Sequence, residues 1–168
     1  MSADLEEIDQ VIGQFLDFAR GDDERLAEGD LNSLVAEIAD GYRKREKDIS
    51  FKPGNLRSLR FAPQAIRRAV ANLVDNALRY AGAPLEIATR RDGERVVIEV
   101  MDRGPGVPQD QAERLKRPFT RLDEARSGRG GAGLGLAIVE RVARAHGGRL
   151  ELAAREGGGL IARLSLAG

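Results

Sequence analysis

Residues 85–100 read LEIATRRDGERVVIEV, and this stretch decides the fold class. Apolar and polar residues alternate on both sides of the pair Asp92-Gly93. Alternation with a period of two indicates strands with one buried face, and an Asp-Gly pair between two such runs is typical of a hairpin turn. The stretch therefore predicts an antiparallel β-hairpin.

Further strands and helices surround this hairpin in the sequence. The predicted elements are strands at 49–52, 56–61, 149–154 and 160–166, and helices at 30–46, 63–80, 109–116 and 134–145. Strands that come in adjacent pairs, rather than alternating singly with helices, favour an α+β fold. We expect a two-layer α/β sandwich in which helices cover one face of a mixed, mostly antiparallel sheet.

The helix at 30–46 has a clear start and a clear inner face. Asp30 is placed to cap its first turn. The residues expected to point inward are Leu31, Leu34, Val35, Ile38 and Tyr42. We place the main domain at 31–168 and treat 22–30 as a linker.

Residues 1–21 form a separate helical segment. Leu5, Ile8, Ile12, Phe15 and Ala19 follow one another at steps of three and four, which draws one apolar seam along a helix. Such a helix either covers the core of its own domain or pairs with partner helices. The polar break at 21–24 favours pairing with a partner.

The bulk composition excludes several classes of protein. Lys and Arg total 27, and Asp and Glu also total 27, so the chain lacks the basic excess that is typical of nucleic-acid-binding proteins. The absence of cysteine excludes disulfides and thiolate sites, and His146 is the only histidine. No apolar run approaches the roughly 20 residues that span a bilayer, and no signal peptide opens the chain. We expect a soluble domain with no nucleic-acid partner.

The helix at 63–80 carries polar residues on its outer side. Asn72 and Asn76 are four residues apart, and Arg79 follows on the next turn. Amide oxygens in this arrangement suit a hydrated cation, and a guanidinium suits phosphates. The alternative is an ordinary solvated polar face.

Two glycine-containing segments follow. Asp102-Arg103-Gly104-Pro105-Gly106 ends a strand, where a carboxylate accepts hydrogen bonds from an exocyclic amine and glycines admit a flat ring. The alternative is a turn with a capping aspartate. Residues 128–135 read GRGGAGLG and run into a helix, which is typical of an anion site, although a flexible linker shares the composition.

Taken together, these segments resemble the GHKL ATPase superfamily, whose fold is the Bergerat type. Residues 72–77 with Tyr80 resemble its N box, 102–106 its G1 box, 118–121 its F box and 131–136 its G2 box. The F box resembles that of sensor histidine kinases, and 67–72 with 122–126 look most like the osmosensing EnvZ type.

The resemblance implies a role for each matching residue. Asn76, with Asn72 beside it, would hold Mg²⁺ that bridges the ATP phosphates, and Arg79 and Tyr80 would touch the phosphates and the ribose or adenine edge. Asp102 would take the adenine amino group in a pocket shaped by Gly104, Gly106 and Val107. The remaining implied nucleotide-binding residues are Gly131, Gly133, Leu134, Gly135 and Leu136, where a lid closes on the phosphates, and Phe119.

Phe119 and Arg121 would also couple the lid to the phospho-accepting helices. The implied catalytic set is Asn72, Asn76, Arg79 and Arg121. The resemblance thus implies an ATP- and Mg²⁺-dependent protein histidine kinase.

The chain departs from that family in lacking the phospho-accepting histidine motif. His146 ends the last helix, where a histidine is expected to cap carbonyls. We expect a fragment that starts after the accepting helix, with 1–21 as the end of the second hairpin helix, and little autophosphorylation.

The family picture implies partners and a location for the intact protein. It would be a homodimer in the bacterial inner membrane, with this part in the cytoplasm, phosphorylating a response regulator by way of a histidine on its dimerisation domain. The fragment itself could be monomeric, since one short seam helix is little for a stable dimer. A module that binds ATP and acts through its N-terminal helix without transfer is the alternative, and a serine-directed anti-sigma kinase is a more distant one.

Overall fold

A computed structural model of the chain describes residues 2–19, 24–118 and 134–168. Its helices are α1 (Ser2–Ala19), α2 (Leu31–Lys44), α3 (Pro63–Tyr80), α4 (Ala112–Leu115) and α5 (Gly135–Ala145), and a 3-10 turn, Gln109–Gln111, leads into α4. Its strands are β1 (Ala27–Gly29), β2 (Ile49–Lys52), β3 (Leu59–Phe61), β4 (Leu85–Asp92), β5 (Arg95–Met101), β6 (Leu150–Ala154) and β7 (Leu160–Ala167). The helix predicted at 63–80 is confirmed at both ends.

The main sheet has five strands in the order β2-β4-β5-β7-β6. The three pairings from β4 to β6 are antiparallel, and only β2 pairs in parallel, with β4. Gly93 lies in the β4–β5 turn with a φ of 64°, a left-handed conformation that glycine adopts without steric cost. The predicted hairpin and the mixed, mostly antiparallel sheet are confirmed.

Helices α2, α3 and α5 pack on one face of this sheet. Ile87, Val100 and Ala162 are neighbours on adjacent strands and are all buried under the helices. Ile66, Val70, Leu73, Val74 and Ala77 recur along one face of α3 at helical spacing and are all buried. The five residues expected to point inward from α2 are buried as well. Removal of these apolar faces from water drives the two layers together.

Strands β2 and β3 do not pair with each other, although they are adjacent in the sequence. The chain after β2 stays against β4, because the Gly54 amide donates to the Thr89 hydroxyl at 2.9 Å and the Asn32 amide donates to the Gly54 carbonyl at 2.8 Å. Parallel pairing of β2 with β4 then requires a crossover, which α3 supplies. Expecting these two strands as an adjacent pair was therefore wrong.

The segment predicted as a linker contains a strand. β1 pairs antiparallel with β3, so that Ala27 lies opposite Phe61 and Gly29 opposite Leu59. Just before it, the Glu24 carboxylate accepts the amides of Gln64 and Ala65 at 3.0 and 2.8 Å. Glu24 thereby satisfies the first turn of α3, whose own N-cap residue, Ala62, makes no side-chain capping bond.

The apolar seam of α1 is exposed. The side chains of Leu5, Ile8, Ile12 and Phe15 are each at least half accessible, although α1 contacts α5. The seam therefore does not cover the core of this domain, and the interpretation that remains is pairing with partner helices. None of the described helices combines the length and the apolar character that a membrane-spanning helix needs.

His146 ends α5 as expected and makes a second bond that the sequence does not indicate. Its ring Nδ1 lies 2.8 Å from the Val142 carbonyl, and its Nε2 accepts the Ala62 amide at 3.0 Å. The Nδ1–H tautomer satisfies both partners. The predicted capping role is confirmed.

Candidate nucleotide-binding site

The polar side of α3 is partly covered. Asn72, Asn76 and Arg79 are all half-buried, whereas a freely solvated face would leave them exposed. The core residues of the same helix hold it against the sheet, so the polar side faces the space between α3, the start of α5 and the segment that follows β5. This placement favours a binding role over a solvated face.

Asn72 lies beside the start of α5. Its amide Nδ2 donates to the Arg68 carbonyl one turn earlier at 3.0 Å, which fixes the orientation of the side chain. The oxygen Oδ1 consequently faces Gly135, where a Cβ would lie 3.5 Å from it. The first residues of α5 and the predicted cation ligand therefore line the same cleft.

Asn76 and Arg79 follow Asn72 along the helix toward its C-terminal end. In the part of the chain that the structure describes, neither side chain forms a hydrogen bond or an ion pair with another residue. Tyr80, the last residue of α3, is half-buried and is engaged in a contact. An amide and a guanidinium without protein partners in the described regions can meet a ligand.

Asp102 is held at the end of β5 with a side chain only 6% exposed. Its Oδ1 accepts the main-chain amides of Gly104 and Leu160 at 2.9 and 3.1 Å. Two amide donors on one carboxylate oxygen fix the orientation of the side chain. The bond from Gly104 forms the turn with a capping aspartate that the sequence gives as the alternative. Such a turn does not account for the second bond, from Leu160.

Gly104 brings Asp102 to the end of α3. A Cβ on Gly104 would overlap the Cβ of Ala81, the C-cap residue of α3. Gly106 has a φ of 75° and passes close to the Gly159 carbonyl, while Val107 is half-buried. Glycine is required at 104 for close approach and favoured at 106 by its left-handed backbone.

The start of α5 has no side-chain cap. Leu134 occupies the N-cap position, and its fully buried side chain belongs to the core, so only its main chain can face a ligand. Leu136 also packs partly against the core. The first amides of a helix have no acceptor within the helix and attract anions.

Four predicted site residues lie outside the described residues: Phe119, Arg121, Gly131 and Gly133. The described part of the predicted phosphate loop therefore begins at Leu134. Within the described regions, no group of three or more His, Asp or Glu side chains is placed to hold a metal ion. A cation here would have to be held by amide oxygens and by phosphates.

A tyrosine on α2 also contacts α3. The Tyr42 hydroxyl donates to Asp75 at 2.6 Å. Burial of the phenol, together with its hydrogen bond to this carboxylate, raises the pKa of Tyr42 above its usual range. The bond fixes α3 against α2 on the flank away from the cleft.

Several residues around the site are not indicated by sequence patterns. Arg155 donates to the main-chain carbonyl of Asp102, and Leu160 donates to its side chain. The glycine run at 157–159 predicts a turn and nothing more. Contacts of this kind join residues more than 50 positions apart, and no periodicity encodes them.

Residues 62–167 match a protein family described as histidine kinase-, DNA gyrase B-, and HSP90-like ATPase. The sensor protein CutS of Streptomyces coelicolor is 44% identical over 105 residues, which is 60% of this chain and 25% of CutS. The chain spans less than half of the length of the curated relatives that it matches, from 25% of CutS to 43% of the adaptive-response sensory kinase SasA of Synechococcus elongatus.

Two solved structures share the fold. Full-length ShkA in complex with AMPPNP superposes with a TM-score of 0.76 at 28% identity, covering 94% of this chain and 35% of ShkA. The histidine kinase domain of the Escherichia coli osmosensor EnvZ superposes with a TM-score of 0.64 at 36% identity, covering 88% of this chain and 91% of that domain. The expected resemblance to the EnvZ type and the predicted two-layer fold are confirmed.

Proposed function

This chain belongs to the family of histidine kinase-, DNA gyrase B- and HSP90-like ATPases, and from that premise we propose that it binds Mg·ATP and transfers the γ-phosphoryl group to a histidine of a separate phosphotransfer helix. It is the ATP-binding catalytic domain of a two-component sensor histidine kinase. The roles of individual residues, the metal and the partners are part of the proposal.

One observation carries the proposal: α3 joins the two ends of a single cleft. Asn72 faces the start of α5 at Gly135, and Gly104 packs against Ala81 at the C-terminal end of α3, with Asp102 two residues away. The positions of Asn72 and Ala81 differ by nine residues, which is about 14 Å along a helix. That length suits a nucleotide with its phosphates near Asn72 and its base near Asp102.

Asn76 and Asn72 are the residues that would hold Mg²⁺. The Oδ1 of Asn72 is directed into the cleft because its Nδ2 is used within α3, and oxygen ligands are what Mg²⁺ prefers. When bound, the ion neutralises charge on the phosphates. The described residues supply too few ligands for a closed metal site, and Mg²⁺ commonly takes its remaining ligands from water and phosphate.

The phosphates would also meet Arg79 and the first amides of α5, and Tyr80 would contact the ribose or the adenine edge. Asp102 would accept the adenine amino group through Oδ2, since both described amide bonds end on Oδ1. Gly104, Gly106 and Val107 line the path to it. We keep Gly131, Gly133, Phe119 and Arg121 as proposed lid and coupling residues on the sequence alone.

In the transfer, a bond forms between a histidine ring nitrogen and the γ-phosphorus, and the bond from that phosphorus to the oxygen of the leaving ADP breaks. Such reactions depend mainly on positioning and charge neutralisation. His146 is unsuited as the acceptor, because it is buried and both ring nitrogens are engaged. The acceptor is therefore a histidine outside this chain.

The proposed partners follow from the location of the acceptor histidine outside this chain. They are the histidine-bearing dimerisation domain of the same kinase and a response regulator that takes the phosphoryl group from the histidine. We propose that the parent protein is a homodimer of the bacterial inner membrane with this domain on the cytoplasmic side.

A second candidate function rests on the exposed seam of α1. An ATP-binding regulatory module without transferase activity would act through such a helix, and Leu5, Ile8, Ile12 and Phe15 are available for contact. Both candidates require ATP binding, and only the first requires transfer.

Transfer to a supplied acceptor separates the two candidates. The chain is mixed with a dimerisation hairpin of a related kinase, Mg²⁺ and γ-labelled ATP, and acid-labile label on the hairpin is measured. The proposal predicts label that disappears when the hairpin histidine is replaced by glutamine. ATP binding without label on any hairpin tested would favour the regulatory module.

A further inference from the structure

The β6–β7 hairpin holds Asp102 through both its main chain and its side chain. The Asp102 amide donates to the Leu160 carbonyl at 3.0 Å, and the Leu160 amide donates to Asp102 Oδ1 at 3.1 Å. A third bond comes from Arg155, whose Nη1 donates to the Asp102 carbonyl at 3.1 Å. The residue proposed to select adenine is thus held by the β6–β7 hairpin, which contains none of the sequence motifs assigned to the site.

Arg155 is itself firmly placed. Its side chain is only 11% exposed, and its Nη2 lies 3.0 Å from a carboxylate oxygen of Glu86 on β4. The Arg155 amide also donates to the Gly159 carbonyl at 3.0 Å, which closes the β6–β7 turn. One guanidinium therefore links β4, the end of β5 and the β6–β7 turn, a use for which its fixed, planar donors are suited.

Gly159 shows how closely this turn approaches Asp102. A Cβ at position 159 would overlap the Asp102 carbonyl oxygen, and the φ of Gly159 is 113°. The oxygen that Gly159 approaches is the same oxygen that Arg155 binds. Glycine at 159 lets the turn reach Asp102, and Arg155 holds the two together.

We propose that Arg155 is a positioning residue for base selection: by binding the Asp102 carbonyl and Glu86 together, it fixes the direction of the Asp102 carboxylate toward the base. This inference rests on the proposed adenine-binding role of Asp102. In this role Arg155 acts through Asp102 and not by contact with the nucleotide. Its loss would let the end of β5 rotate, and a small misplacement of a recognising group weakens discrimination strongly.

The test is the ratio of ATP to GTP affinity, measured by calorimetry for the whole chain and its variants. Arg155→Met keeps the length of the side chain and removes its donors. We expect it to weaken ATP binding by about tenfold, the equivalent of one well-placed hydrogen bond, while GTP affinity stays nearly constant. Arg155→Lys retains one cation and should recover part of the ratio.

Arg163→Met is the matched control. Arg163 also lies in the β6–β7 hairpin and binds a sheet glutamate, Glu99, at 2.8 Å, but it makes no described contact with Asp102. The ATP to GTP ratio of this variant should equal that of the unaltered chain. If Arg155→Met fails to fold, Glu86→Gln replaces it, because this change weakens the anchor of Arg155 without altering any group that binds Asp102.

The outcomes separate this inference from the proposed function. An unaltered chain that binds no ATP contradicts the proposed function. If Asp102→Ala abolishes the preference for ATP over GTP and Arg155→Met leaves it intact, only the role of Arg155 is overturned. An equal loss of ATP and GTP affinity in Arg155→Met also overturns that role. The inference is supported if the ratio of ATP to GTP affinity falls in Arg155→Met, falls less in Arg155→Lys and stays unchanged in Arg163→Met.

Discussion

The Nε2 of His146 accepts the main-chain amide of Ala62 at 3.0 Å, and this hydrogen bond joins the end of α5 to the residue before α3. The two helices run antiparallel, because Gly135 at the start of α5 lies beside Asn72, about ten residues further along α3. The His146–Ala62 bond therefore sets the register of the helices that frame the proposed phosphate end of the cleft.

Replacing His146 with phenylalanine should destabilise the domain. The change keeps a buried ring and the main-chain bond from residue 146 to the Val142 carbonyl, but it leaves the Ala62 amide without its acceptor. An unsatisfied buried group costs about 1–3 kcal/mol. Urea denaturation measures the free energy of unfolding. His146→Gln retains an acceptor for Ala62 and should lose less; equal losses for the two variants would mean that the acceptor has no role.

Gly135→Ala should separate stability from binding. A Cβ there makes an ordinary contact of 3.5 Å with Asn72 Oδ1, so the fold tolerates it, and alanine in a helix is favoured over glycine by up to about 1 kcal/mol. Nucleotide affinity should fall, because the methyl group covers the oxygen that we assign to the cation. Thermal melting and ATP titration of the same sample measure the two effects.

Gly41→Ala is the control for that experiment. Gly41 lies in α2, is exposed, and has nothing within 4 Å of an added Cβ. It should gain similar stability and retain its ATP affinity. A Gly135→Ala variant that binds ATP as well as Gly41→Ala does would argue against the assignment of Asn72.

Tyr42→Phe should show a pH-dependent loss of stability. The pKa of Tyr42 is raised in the folded state by burial and by Asp75, so the folded chain holds this proton more tightly than the unfolded chain does. The contribution of the hydroxyl is therefore complete below about pH 10, the ordinary phenol value, and declines as the pH rises toward the raised value.

Urea denaturation at pH 8 and pH 11 tests this sign. At pH 8 the variant should be less stable by about 1.5–3 kcal/mol, the range for a hydrogen bond to a charged group. At pH 11 the difference should be smaller. A difference that stays constant or grows would contradict the bond from Tyr42 to Asp75.

Glu24→Ala should destabilise α3 from outside the predicted domain. The carboxylate satisfies two amides in the first turn of α3, and loss of such a cap costs about 1 kcal/mol. Glu24→Gln keeps the acceptor oxygen but loses the charge that favours a helix N-terminus, so it should lose less. Chemical denaturation that fails to distinguish Glu24→Ala from the unaltered chain would show that 24–30 acts only as a linker.

Sequence patterns predict those parts of the fold that depend on local periodicity. The β4–β5 hairpin follows from alternation around Asp92-Gly93, and the inner face of α3 follows from helical spacing. The parallel pairing of β2 with β4 does not follow, because it depends on contacts of Gly54 with Thr89 and Asn32 across the sheet and from α2.

The same division holds for the site. Asn72, Asn76 and Asp102 are indicated by unusual residue types at fixed positions relative to helix and strand ends. Arg155 and Glu24 are not, because an arginine near a turn and a glutamate in a polar segment have no local signature. Their roles depend on which distant backbone groups need a partner, and only the assembled fold specifies those groups.

Magnesium-dependent nucleotide binding tests the central claim most directly. Calorimetric titration with AMPPNP should show one site in millimolar Mg²⁺ and much weaker binding in EDTA. In Asn76→Ala the dependence on Mg²⁺ should disappear while the melting temperature is retained. Absence of any adenine-nucleotide binding by the unaltered chain in millimolar Mg²⁺ would contradict the account.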